Sequence, residues 1–402
     1  MKITKIERII FQSHYEPADT EWTARWRRAH GDQFRAAHMA CHDQWGVLRI
    51  ESDSGHIGAW TGEAVILTDF WECGLHKYGF DPAQALVGRN VFHREAIWQD
   101  LLFTTHERVA GALDTALWDL AGQITGLPAH QLAGQCRERI PVYVTSPLNY
   151  GTPEDYAEYA VACKRRGYLG FKIHPYSYYD PVKRRPDPGV QSSPDYDIEV
   201  CRQTRAAVGP DYPLMLDSCF VYNYEDAVRV GRAIEELGFV WYESPLPDKA
   251  QDDIAVHARL AAELDIPLCV PEFLPGATFS RMKWLKQSAC DIMRTDVEQN
   301  GITATLKMAA ICEAWPMPLE LHGDYYPNIT VLAATNEKTV KYLEWWDLDP
   351  DRKTPNGFAK PETHLIHNMG MMDDDGYFAA PQRPGIGYVI DWDFVYRHRI
   401  GP

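Results

Sequence analysis

Eight side chains able to do acid–base or metal chemistry stand where short apolar runs of this sequence stop. Leu214-Met215-Leu216 ends in Asp217, Val240-Trp241-Tyr242 in Glu243, and Cys269-Val270-Pro271 in Glu272. Magnesium takes a few carboxylates, some water and substrate oxygens, so three such endings suit it. Without a cation they would repel one another, and some would have to stay protonated. Any one of them, alone, reads as a helix N-cap or a surface charge; the repetition in register reads as a metal set. Phe171-Lys172-Ile173-His174 places a lysine and a histidine two apart, which the period of a strand turns to one side. Ile292-Met293-Arg294-Thr295 ends in Asp296 and Leu319-Glu320-Leu321 in His322. A carboxylate beside an imidazole fixes its tautomer and raises its basicity. Tyr342-Leu343 ends in Glu344. The plainer alternatives are an ordinary lysine, a satisfied histidine and a structural His–Asp hydrogen bond.

The elements that must position these residues follow from the pattern around them. Strand candidates fall at 141–146, 169–174, 214–218, 239–243, 267–271, 291–295, 318–322 and 340–345. Helical segments such as Pro153 to Arg166 and Glu225 to Leu237 lie between them. Strands alternating with helices imply a parallel sheet and an α/β class. Eight strands over roughly 200 residues fit a closed barrel better than an open doubly wound sheet. In a barrel the C-terminal strand ends meet at one mouth, where active sites form. No Gly-x-Gly-x-x-Gly follows the first strand, so nucleotide binding has no support.

Residues 1–140 read as a mixed α+β unit. Lys2 to Gln12 alternates like a strand, and Val47 to Glu51 with His56 to Thr61 form a hairpin around Asp53-Ser54-Gly55. Val109 to Ala121 is a small-residue helix ending near Gly126, with Pro128 beyond. Residues 14–45, with Trp22, Trp26, Arg27, His30, His38 and His42, read as an irregular lid. The barrel spans 141–345. The tail, 346–402, has no further barrel unit, and its turn and strand at Pro384 to Ile390 return to the N-terminal unit.

The 402 residues fit one large barrel and a smaller partner, and 45% hydrophobic with 24% charged residues is ordinary for a folded soluble protein. A net charge of −16 disfavours nucleic acid and anionic membrane as partners. It also means that an anionic substrate needs local cations, which a divalent metal supplies. Nine cysteines, without Cys-x-x-Cys, read as reduced, buried thiols of a cytoplasmic protein. The start, Met1 to Ile6, lacks the apolar core of a signal peptide, and no run approaches a membrane span.

The strand-end set resembles the enolase superfamily, and most closely its mandelate-racemase-like branch. The resemblance covers nearly the whole chain. Ala112 to Leu120 with Gly126-Leu127-Pro128 is similar to the signature joining that family's capping domain to its barrel. Tyr242-Glu243-Ser244-Pro245 is similar to its second-ligand motif. Asp296 followed by Asn300-Gly301-Ile302-Thr303 is similar to its sixth-strand motif, and Pro384-Gly385-Ile386-Gly387 to its tail. The resemblance implies a capping domain over a modified (β/α)7β barrel, with Mg2+ on Asp217, Glu243 and Glu272. It implies an Asp296–His322 acid/base dyad, and Glu344 as a hydrogen-bond donor or charge partner for a substrate carboxylate. Homo-oligomers are usual in the family. Two departures stand out: Lys172-Ile173-His174 replaces a common Lys-x-Lys, and Val270-Pro271-Glu272 replaces a commoner Gly-Glu pair.

Such a site removes the proton beside a carboxylate. The metal and Lys172 stabilise the charge that develops, and an imidazole, His174 or His322, takes the proton. If the next carbon carries a hydroxyl, water leaves; if not, reprotonation gives a racemase or epimerase. The favoured reading is a lyase that dehydrates a sugar acid to a 2-keto-3-deoxy acid. Two imidazoles suit proton delivery to a leaving hydroxyl, and the loop 175–196, with Tyr176, Tyr178, Tyr179, Arg184 and Arg185, suits a polyol. The alternatives are racemisation, epimerisation or lactone cycloisomerisation at the same site, and a non-catalytic homologue that binds a metal or carboxylate.

Overall fold

The computed structural model describes residues 1–13, 15–17, 20–30, 44–148, 150–175, 179–180, 185–186, 193–248, 253–323, 325–351, 358–361, 364–367 and 372–401. His38, His42, Tyr176, Tyr178 and Arg184 lie outside the described residues, as do the side chains of Trp26, Arg27, His30, Tyr179 and Arg185.

The apolar runs become eight barrel strands in chain order: Arg139–Thr145, Phe171–Ile173, Leu214–Asp217, Trp241–Glu243, Leu268–Cys269, Met293–Thr295, Leu319–Leu321 and Leu343–Trp346. The first five pair in parallel with their sequence neighbours. A parallel bridge from Cys269 to Ile292 continues to the sixth strand, which pairs with the seventh. A bridge from Leu319 to Val340 and the pairing of strand eight with strand one close the ring. Among the described residues, seven helices connect the strands: Pro153–Arg166, Pro194–Val208, Tyr224–Glu236, Ile254–Glu263, Ala277–Lys286, Val297–Ala314 and Asn328–Ala334. The architecture is a (β/α)7β barrel.

Side chains along each strand alternate between two cores. Outward residues such as Leu214, Leu216, Tyr242 and Leu268 join the large core beneath the helices. Inward residues Tyr143, Met215, Trp241, Cys269, Ile292 and Tyr342 form a separate apolar plug inside the ring. Two positions further along the same strands come Thr145, Asp217, Glu243, Arg294 and Glu344. One period-two pattern therefore builds both the plug and the charged floor of the mouth.

The N-terminal part forms an antiparallel sheet of Ile3–Gln12, Gln44–Ser52 and Ile57–Glu63, with a core of its own. The helix Glu107–Thr125 docks this cap on the barrel. Its Asp114 accepts from the Thr303 amide (2.8 Å) and hydroxyl (2.6 Å), and Trp118 donates to Thr303 Oγ1 at 2.9 Å. The backbones meet so closely there that a Cβ on Gly301, itself at φ +79°, would lie 2.8 Å from Asp114 Oδ2. Asp119, one turn on, accepts from Ala59 N and from Ile386 N in the tail, both at 2.8 Å. A Cβ on Gly385 would lie 2.0 Å from that carboxylate, so the tail's glycine is needed for the approach. The separated family motifs are thus one cap–barrel–tail joint.

The tail adds one feature beyond the sequence reading. Tyr377–Ala379 pairs antiparallel with the start of the first barrel strand, without adding a β/α unit. The described cysteines are all free; five are buried, but Cys73 and Cys136 are exposed. No helix among the described residues is long and apolar enough to cross a membrane.

Candidate active site

Asp217 and Glu243 are register partners on adjacent parallel strands, so the pairing itself sets their carboxylates side by side. Glu272 lies just past the fifth strand. Its backbone is fixed by donation from its amide to Asp248 Oδ2 (2.7 Å) and from Arg281 to its carbonyl (3.0 Å). The three carboxylates each offer an oxygen within 4.8 Å of the others, and all three are buried. None is the N-cap of the helix that follows it; those caps are Asn223, Asp253 and Gly276.

Lys172 sits under this row, fully buried. Its Nζ lies 2.6 Å from Glu344 Oε1, 3.0 Å from Glu243 Oε2 and 3.3 Å from Asp217 Oδ2. Burial alone would lower its pKa, but Glu243 and Glu344 outweigh it and hold the ammonium well above its usual range. Glu344 also accepts from Arg294 at 2.5 Å and from the Gly323 amide at 2.7 Å. Against the cost of burial, Lys172 and Arg294 keep its carboxyl well below the usual range. Both of its oxygens therefore accept hydrogen bonds here.

An imidazole flanks each end of the row. His174 Nε2 is 2.7 Å from Asp217 Oδ2, and its Nδ1 is 2.6 Å from Thr145 Oγ1. His322 Nε2 is 3.2 Å from Glu272 Oε1, and its Nδ1 is 3.1 Å from Asp296 Oδ2. Asp296 also caps the helix Val297–Ala314, its Oδ1 accepting from Gln299 N at 2.6 Å. It is an N-cap and an imidazole partner at once, because its two oxygens divide the tasks.

The electrostatics differ along the row. Burial would raise Asp217, but His174 and Lys172 outweigh it and hold this carboxyl below its usual range. Burial pushes Glu272 up to about 8; His322 opposes, while Asp217 and Glu243 add to the rise. His322 is raised to about 10, since Glu272 and Asp296 overcome the effect of its burial.

The row fits a divalent cation. The donors are hard oxygens, Glu243 Oε1 is buried without a hydrogen bond although Arg294 Nη2 lies 2.7 Å away, and Glu272 is pushed toward its neutral form by burial and, in addition, by the adjacent negative charge.

All eight sequence-predicted residues converge at this mouth. The sequence reading missed Arg294, which is fully buried between Glu243 and Glu344. It also missed Cys219, half-buried beside Asp217 and His174. Arg294 was findable: it stands two residues before Asp296, as Lys172 stands two before His174.

Residues 155–394 match the family model described as enolase C-terminal domain-like. The chain belongs to the enolase superfamily. It is 28% identical over 292 residues to arabinonate dehydratase of Saccharolobus solfataricus, covering 69% of this chain and 68% of that protein. It is 26% identical over 331 residues to 3,6-anhydro-alpha-L-galactonate cycloisomerase of Streptomyces coelicolor, covering 80% and 82%. It is similar throughout to the crystal structure of D-glucarate dehydratase from Agrobacterium tumefaciens complexed with magnesium, with TM-score 0.82, 29% identity and 100% of both chains covered. As an enolase-superfamily chain it has the cap and modified TIM barrel expected of that fold.

Proposed function

We propose that this protein is a magnesium-dependent hydro-lyase that dehydrates a sugar acid to a 2-keto-3-deoxy acid. The observation that carries this is the placement of one imidazole at each end of a buried three-carboxylate row. Dehydration needs a base at the carbon beside the carboxylate and an acid at the next carbon's hydroxyl. Two separately supported imidazoles supply both. Similarity to two sugar-acid dehydratases, one of them complexed with magnesium, supports the reaction class and the metal.

Asp217, Glu243 and Glu272 hold the cation in this reading. When bound, Mg2+ supplies Lewis-acid stabilisation of the charge that develops on the substrate carboxylate. Lys172 adds fixed positive charge beside the row without leaving its buried position. Asp296 holds the His322 ring by Nδ1, and Nε2 takes the proton in the ring's neutral form, which a cation on Glu272 would favour by offsetting the negative charge that otherwise keeps the ring protonated. His174, oriented by Thr145, delivers a proton to the departing hydroxyl. Glu344 anchors Lys172 and Arg294 and so keeps both cations under the row.

The test is a panel of aldonic and aldaric acids incubated with the protein and Mg2+. A 2-keto product trapped by semicarbazide is the expected result, and none across the panel would sink the reading. A second reading, racemisation or cycloisomerisation, draws on the same two-sided geometry and on the cycloisomerase relative. Deuterium entering C2 in D2O without any keto product selects it.

A further inference from the structure

A second donor set shares one corner of the carboxylate row. A ring nitrogen of His174, a carboxylate oxygen of Asp217 and Sγ of Cys219 all lie within 4.8 Å of one another. His174 and Asp217 are buried, whereas Cys219 is half-buried. The two sets differ in kind: the row offers three hard oxygens, and this corner offers nitrogen, oxygen and sulfur. Soft thiolate and borderline imidazole select ions of the zinc class and are poor ligands for magnesium.

The corner is also oriented as such a site requires. The third strand turns sharply after Asp217, with Cys219 at φ +48°. The Cys219 amide donates to Asp217 Oδ1 at 3.0 Å, which ties the thiol-bearing residue to the carboxylate. A metal-binding imidazole normally donates its other ring N–H to a neighbouring oxygen. Thr145 Oγ1, 2.6 Å from His174 Nδ1, is in place to accept it. The His174 amide donates to Ser146 Oγ at 2.9 Å and its carbonyl accepts from Tyr156 at 2.7 Å, so the backbone is fixed as well. Zinc bonds of about 2.0–2.3 Å require the donors to draw somewhat closer. Cys219 is the least buried member of the set.

We propose that His174, Asp217 and Cys219 bind a thiophilic divalent cation of the zinc class, and that this ion excludes magnesium from the carboxylate row. Exclusion follows because Asp217 belongs to both sets. The ion also takes His174 out of proton transfer. Its binding releases the thiol proton to solvent. The competition rests on the proposed magnesium role of the row, whereas the thiophilic site stands on its own donors.

The probe is Cd2+, titrated into the full chain after reduction and removal of metals. The wild type is expected to show thiolate-to-cadmium charge-transfer absorption in the ultraviolet, with excess Mg2+ raising the apparent Kd for cadmium. Cys219→Ser should lose that absorption and bind Cd2+ more weakly by roughly tenfold or more. Cys219→Ala serves where the serine variant does not fold. Glu272→Gln should bind Mg2+ more weakly yet keep its cadmium affinity within about twofold. Unchanged absorption and affinity in both Cys219 variants overturn the site. If those variants lose cadmium while excess Mg2+ never competes and Glu272→Gln binds Mg2+ normally, the thiophilic site stands, and both the exclusion and the magnesium row fall.

Discussion

The two ends of the carboxylate row are built differently. At one end His174 is sealed in: its side chain is 8% exposed, backed by the Thr145 hydroxyl and set against Asp217. At the other, His322 is 31% exposed, backed by the Asp296 carboxylate and set against Glu272. The carboxylate behind His322 raises the basicity of that ring, whereas the group behind His174 is a neutral hydroxyl. The carboxylates differ in the same sense, since Asp217 is held ionised while Glu272 is pushed toward neutrality. In the proposed dehydration, this asymmetry supports proton abstraction at the His322 end and proton delivery at the His174 end.

The largest effect expected is therefore a split between two variants. His322→Asn should lower kcat on the order of 10^2–10^4-fold and abolish C2–H exchange in D2O. His174→Asn should lower keto-acid formation on the order of 10^2-fold yet retain exchange at C2. Single-turnover product analysis with NMR exchange reads both. The opposite pattern, exchange lost with His174→Asn and kept with His322→Asn, reverses the assignment.

Next in size is a change that touches neither end. Arg294 lies under the middle of the row, 2.7 Å from Glu243 and 2.5 Å from Glu344. Removing one partner of a buried ion pair costs about 3–5 kcal/mol. Arg294→Met should destabilise the fold by about that amount in denaturant titration. It should leave the ratio of C2 exchange to dehydration unchanged, because neither imidazole loses a partner. A shifted ratio would show that the ends are coupled through the middle.

Arg294 also marks where legibility in the sequence ended. The barrel strands and the eight polar residues at their ends were readable because apolar runs stopping in polar residues are a local, one-dimensional signal. The hairpin and the helix Glu107–Thr125 were readable for the same reason. What joins them was not. The contacts of Asp114 with Thr303 and Asp119 with Ile386 span 189 and 267 residues and have no local trace. Arg294 was passed over because it stands mid-run, where an arginine looks like a surface residue. Its period-two step to Asp296 was the overlooked signal, since it puts Arg294 on the inward face that the closed ring buries. Asp296 was read only as an imidazole partner, and the structure adds a second task, since its other oxygen caps the following helix.

Metal binding should expose the difference between the two carboxylates through pH. Burial and the adjacent Asp217 and Glu243 charges raise Glu272 to about 8, so below that pH the carboxyl holds a proton that a cation must displace. Asp217 is held down and has none to lose near neutrality. Mg2+ affinity should thus rise with pH by up to about tenfold per unit through the neutral range, and more gently from about 8 to about 10, where His322 beside Glu272 loses its charge. Calorimetry in buffers of different ionisation enthalpy should show a proton released on binding. Glu272→Gln should remove that release. An affinity independent of pH would mean that the two ends do not differ in protonation.

The smallest expected effect isolates what backs His174. Thr145 occupies the first barrel strand two positions after Tyr143, so the period that sends Tyr143 into the apolar plug sends its hydroxyl to the His174 ring. Thr145→Val keeps the shape and deletes the oxygen, leaving Nδ1 of a buried ring without its partner. Loss of an orienting neighbour of this kind costs roughly tenfold or less. The loss should fall on dehydration and spare C2 exchange, and Thr145→Ser should restore it by returning a hydroxyl to the same strand position. Equal loss of both activities would show that Thr145 supports the mouth as a whole and not the proton-delivering end.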